Sequence, residues 1–156
     1  MKKTVLILVV MAALMSSCKK YEEGPCISFR SAKNRVIGYH TLTKFTVNGI
    51  DSLQAMNDKF GLIFHFWHRI DKWYDIDEYL LQIVYKVGEA YPFTFSCNFY
   101  LGDKNKEIIL NYGANLLCNN CDRGYGDVHF KIIKLKNDDI HLKTTLNSTE
   151  YFLELE

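Results

Sequence analysis

The sequence predicts an all-β fold: an eight-stranded antiparallel meander, its strands in sequential order, closing into a barrel. Three observations predict it. Apolar and polar residues alternate with period 2 through most of the chain from residue 37 to residue 155. Turn-forming pairs such as Asn48-Gly49 and Asn147-Ser148 separate the alternating runs. No stretch carries the apolar period of a long helix. Period-2 alternation buries one face of each strand and wets the other, as antiparallel sheets do. Closure into an up-and-down barrel then removes the exposed edges. A two-sheet sandwich is the alternative arrangement of the same strands.

Each element follows from its own pattern. Ile37 to Val47 is the first strand, with Tyr39, Phe45 and Val47 on one face and His40, Leu42 and Lys44 on the other. Asn48-Gly49 turns the chain, and residues 53–59 form one helical turn or a loop. Phe60, Leu62, Phe64 and Phe66 alternate with Gly61, Ile63, His65 and Trp67. Residues 70–78 are acidic and aromatic and predict a loop. Tyr79, Leu81, Ile83, Tyr85 and Val87 share the inner face of the next strand, which ends at Gly88. The cleanest alternation is Phe93, Phe95, Cys97, Phe99 and Leu101. After a turn at 102–106, Glu107 to Tyr112 is a short strand. Val128 to Leu135 changes phase between Ile132 and Ile133, which predicts a β-bulge. Asn137-Asp138 and Asn147-Ser148 then separate the last two strands, Ile140 to Leu146 and Thr149 to Leu155.

Composition sets bounds on function. The chain has 156 residues, 48% of them hydrophobic, which is enough for one domain with one core. Lys and Arg number 19 against 18 Asp and Glu, so no field draws nucleic acid, which is not an expected partner. An aromatic content of 14% excludes a disordered chain.

The first eighteen residues carry an address. Lys2 and Lys3 precede an apolar run from Thr4 to Leu14, too short to span a bilayer. Ser16, Ser17 and Cys18 follow, and the charged run Lys19, Lys20, Tyr21, Glu22, Glu23 cannot continue a membrane helix. This resembles the bacterial lipoprotein signal, whose terminal Cys receives the lipid. Met15 stands where that pattern prefers Leu. The resemblance implies a signal peptide over residues 1–17, acylation of Cys18, a lipid-anchored tether over 18–34 and a barrel domain over 35–156. A single acyl chain holds a protein only marginally, whereas several make a stable anchor. Glu22-Glu23 resembles export signals of surface lipoproteins, and the expected location is the outer membrane, on either side.

A second resemblance is more specific. Arg35-Val36-Ile37-Gly38-Tyr39-His40-Thr41-Leu42, continuing to Val47-Asn48-Gly49-Ile50-Asp51, is similar to the first strand of the small lipocalin-like lipoproteins of Bacteroidota. Ile132-Ile133-Lys134-Leu135 and Ile140-His141-Leu142 match their C-terminal strands. The chain departs from that pattern where His40 replaces the Trp of the first strand. The resemblance implies a lipocalin-like (calycin-type) barrel and no catalytic residues.

Few residues point to chemistry. Beyond Cys18 the chain has Cys26, Cys97, Cys118 and Cys121. An exported compartment permits disulfides. Cys118-Asn119-Asn120-Cys121 fits a β-turn whose ends a local disulfide could bridge. Unpaired thiols, pairing with Cys26 or Cys97, half a zinc site and a thioredoxin-like pair are the other readings. Cys97 falls on an apolar strand face and reads as a small buried hydrophobe. His65 and His68 are three apart, which on a strand puts them on opposite faces rather than on one metal ion. Asp71, Asp75, Asp77 and Glu78 lack the spacing of a calcium loop and read as a solvated loop. Trp67, Trp73 and Tyr74 are expected to pack over a barrel end, with an exposed patch as the alternative. No Gly-x-Ser-x-Gly elbow or phosphate-binding glycine loop occurs, so no enzyme, cofactor or metal is expected.

Two roles follow for such a barrel. Its interior either fills with side chains or holds one small ligand. A filled barrel serves as a structural or protein-interaction domain with an envelope protein as partner. A hollow one takes a small apolar ligand against Phe64, Tyr85, Phe95, Phe99 and Phe130.

Overall fold

The computed structural model describes residues 31–84, 93–117, 126–136 and 139–156. The described chain begins with a short helix, α1 (Ala32–Val36), whose N-cap Ser31 accepts a hydrogen bond from the Asn34 amide. Residues 32–34, read from sequence as the end of the tether, thus belong to this helix, and Ala32 is buried. Strand β1 (Gly38–Val47) follows, then the two-residue strand β2 (Ile50–Asp51). Between them Asn48 and Gly49 both take positive φ, which gives the tight hairpin turn that the Asn-Gly pair predicts.

Helix α2 (Leu53–Phe60) replaces the single turn or loop expected over 53–59. Met56 and Phe60, one helical turn apart, are its buried residues, so Phe60 is a helix residue and not the start of a strand. Strands β3 (Ile63–Asp71), β4 (Ile76–Val84), β5 (Phe93–Gly102) and β6 (Glu107–Leu110) follow in order. A four-residue helix, α3 (Ala114–Leu117), precedes β7 (Val128–Lys136), β8 (Asp139–Leu146) and β9 (Thr149–Leu155). Residues 70–78 are not a loop: β3 runs to Asp71 and β4 starts at Ile76, paired with each other across the turn.

Every neighbouring pair is antiparallel, and β1 pairs with β9, so the eight long strands close into a barrel of the predicted lipocalin-like kind. Besides the short β2 hairpin at its end, β1 pairs with two strands of the wall and so makes the closure. Its first half, Gly38 to Thr41, pairs with β3, and its second half, Leu42 to Val47, pairs with β9. The register slips between Leu42 and Lys44, and this bulge corrects the expected faces of β1. His40, Leu42 and Phe45 all point inward, while Tyr39 is exposed. Thr43, the extra residue, donates its hydroxyl hydrogen to the Glu154 carbonyl at 3.2 Å. The bulge predicted in β7 is present, between Ile132 and Lys134.

The two ends of the barrel differ. At one end α1 packs against β7 and covers the floor. Buried Arg35 reaches across it, Nη1 donating to the Leu135 carbonyl at 2.6 Å. His40 stands where the resembled pattern has Trp. Its Nε2 lies 3.0 Å from the Val36 carbonyl and its ring meets Phe66 edge-on. At the other end α2 packs against β1 and β5.

Candidate functional site

The residues expected to line a ligand site come from successive strands of the barrel wall, and the structure brings three of them inside. Phe64 on β3 and Phe130 on β7 each keep 1% of their surface exposed, and Phe99 on β5 keeps 3%. Phe99 meets Phe66 edge-on with ring centroids 5.1 Å apart, and Tyr79 at 5.7 Å. Leu81, Ile83, Ile108, Leu135, Ile140 and Leu155 around them retain none. Phe64 and Phe130 keep too little surface to border an open chamber, while Phe99 backs a cleft at the α1 end. Phe95 differs: it is half-buried near the α2 end, edge-on to Phe60 at 6.0 Å. Tyr85, and the disulfide candidates Cys118 and Cys121, lie outside the described residues, as do Cys18 and Cys26.

Cys97 sits on the inner face of β5 and is buried. Burial in apolar surroundings pushes its thiol up to about 12, because the thiolate has nothing to solvate it. Iodoacetamide at pH 8 is therefore expected to leave Cys97 unmodified in the folded protein and to label it in urea. Peptide mass mapping reads the difference, and equal labelling in both conditions contradicts the placement.

The histidine and acidic candidates disperse, as the strand period requires. His65 stacks flat between Tyr39 at 3.9 Å and Trp67 at 6.1 Å on the outer face, and burial lowers its pKa. His68 points the other way, stacks on Tyr79 at 4.2 Å and pairs with Asp77 at 2.6 Å. The Asp71 carboxylate accepts from the backbone N–H groups of Trp73 and Tyr74, and Glu78 faces Arg69 at 3.6 Å. Among the described residues no three His, Cys, Asp or Glu side chains come together in a way that could hold a metal ion. Among the same residues no helix is long and apolar enough to cross a membrane.

Two concavities were not foreseen, because each forms where strands part and strand periodicity carries no mark of it. One, of about 420 Å³, opens between α1, β4 and β5 and is lined by Ser31, Lys33, Tyr79, Phe99 and Leu101. Lys33 holds its ammonium 3.8 Å over the Tyr79 ring. The other, about 460 Å³, is an open groove on the outer face beside His129, Lys131, Lys143 and Thr145. It lies where β7 and β8 separate, since their pairing begins only at Lys131↔Lys143.

Trp73 and Tyr74 do not pack over a barrel end. They are 96% and 77% exposed, at the turn between β3 and β4. Comparison with family models, with curated proteins and with solved structures gave no match for this chain.

Proposed function

We propose that the chain is a lipid-anchored protein of the bacterial outer membrane, one of the small lipocalin-like lipoproteins. Its barrel acts as a structural or protein-interaction domain, and its partner is another envelope component. The observation that carries this reading is the interior: Phe64, Phe66 and Phe130 are each left with 1% of their surface. Rings held this tightly fill space rather than frame it. A small apolar ligand, the other use of such a barrel, would have to displace them. The lipid anchor rests on the run that ends in Ser16-Ser17-Cys18.

Two measurements test the proposal. Metabolic labelling with a clickable palmitate is expected to mark the wild type and not Cys18→Ala, and equal labelling of both removes the anchor. Native mass spectrometry of protein purified from its host is expected to give the mass of the acylated chain alone. A co-purifying small molecule, displaced by a fluorescent fatty acid, would transfer the barrel to the ligand-binding class.

A further inference from the structure

The outer end of the β3–β4 hairpin parts from its neighbours in the barrel wall. β1 pairs with β3 only as far as Gly38↔Phe66, and β5 pairs with β4 only from Leu80↔Asn98 inward. The four pairs from His68↔Tyr79 to Asp71↔Ile76 belong to β3 and β4 alone. At about 3.4 Å per residue these unshared pairs span roughly 14 Å, while β5 turns away to pair with β6 from Phe99 to Gly102.

A bare two-stranded ribbon is only marginally stable in water. This one is braced by the His68–Tyr79 stack at its base and the His68–Asp77 pair beside it. Asp71 fastens the turn through the Trp73 and Tyr74 amides, at 3.0 and 3.4 Å. The brace holds out two aromatic rings almost wholly in water, with Ile70 behind them at 62% exposure. Apolar surface presented this way marks a contact. Trp and Tyr, with apolar bodies and polar tips, favour the boundary between lipid and water.

The position of the ribbon favours lipid over protein. The described chain starts at the ribbon's foot: Ser31 and Tyr79 line one cleft, and Lys33 covers the Tyr79 ring. Residues 18–30 span at most about 45 Å when fully extended. An anchor at Cys18 therefore keeps this end of the barrel near the bilayer. Charge narrows the surface. On the ribbon itself Arg69 and Lys72, with Lys33 at its foot, stand against Asp71, Asp75, Asp77 and Glu78, a balance that gives anionic lipid no attraction.

We infer that Trp73 and Tyr74 rest in the headgroup layer of a zwitterionic lipid surface and orient the barrel with its α1 end toward the membrane. This inference rests on the lipid-anchor reading of Cys18.

The test uses full-length protein matured in a bacterial host and reconstituted into phosphatidylethanolamine–phosphatidylcholine vesicles. Vesicles are made with and without brominated acyl chains. Mass spectrometry of the N-terminal peptide reports acylation of Cys18 separately. Tryptophan emission of the wild type is expected to shift to the blue and to be quenched by the brominated chains. Trp73→Ala, a change at an exposed position, is expected to lose both effects and leave only the signal of Trp67. Acylated protein quenched equally in wild type and Trp73→Ala overturns the inference, keeps the anchor and leaves the tip to a protein partner. Trp73-dependent quenching without acylation upholds the tip and removes the anchor. Neither signal overturns both. Added phosphatidylglycerol is expected not to strengthen the quenching; quenching that grows with it overturns the zwitterionic assignment.

Discussion

Phe64→Ala is expected to destabilise the barrel by about 3–5 kcal/mol, the cost of a large ring deleted from a core that cannot collapse around the loss. Phe64 sits on β3 with 1% of its surface exposed. Its strand is pinned on both sides, by β1 at His40 and by β4 at Ile83. Neither neighbour can move in without breaking a ladder. Phe95→Ala is expected to cost clearly less, because Phe95 is only half-buried. Urea denaturation of the two variants beside the wild type reads the difference directly. The comparison also bears on function. If the interior were a ligand chamber, Phe64→Ala would cost little stability and would alter the binding of a fluorescent fatty acid. A large loss for Phe64 with no probe bound by the wild type is the result that the packed core calls for.

Arg35→Met is expected to cost about 1.5–3 kcal/mol, the range for a hydrogen bond with a charged donor. Arg35 is 6% exposed and ties α1 to the end of β7 through the Leu135 carbonyl. Met retains most of the apolar stem and lacks the guanidinium, so this variant removes the donor while sparing the packing. Arg35→Lys is expected to recover only part of the loss, since an ammonium cannot reproduce the planar fork of donors. Urea denaturation again gives the size of the effect. Amide exchange places it: α1 and the end of β7 should lose protection before the rest of the barrel. Uniform loss across all strands would mean that the floor is not a separate unit.

Where a strand has a core to face, its pattern is legible. Val128, Phe130, Ile132 and then Leu135 step by two and then by three, and that step located the β7 bulge. Leu42 and Phe45 make the same step in β1, across the polar pair Thr43-Lys44, but Tyr39 shares the phase of Phe45 and hides it in the sequence. The outer stretch of the β3–β4 ribbon left no alternation because it has no core on either side, so its acidic and aromatic residues looked like a loop. Helix α2 is only about two turns long, and Met56 and Phe60, with half-buried Leu53, mark its buried side too sparsely to stand out in the sequence. The candidate site was half legible. Alternation found Phe64, Phe99 and Phe130, but whether inward rings fill a barrel or line it depends on three-dimensional volume, which no spacing encodes.

Closure through β1 has a consequence for how the protein is made. The hydroxyl of Thr43 meets the carbonyl of Glu154 across 111 residues of sequence. The ring cannot be completed until β9 has been synthesised, so the emerging chain stays open until then. Contacts this distant in sequence make folding slow. The same arrangement makes the C-terminus fragile. A chain cut before Thr149 lacks β9 and leaves the edges of β1 and β8 open together. Such paired open edges invite another chain to add a strand.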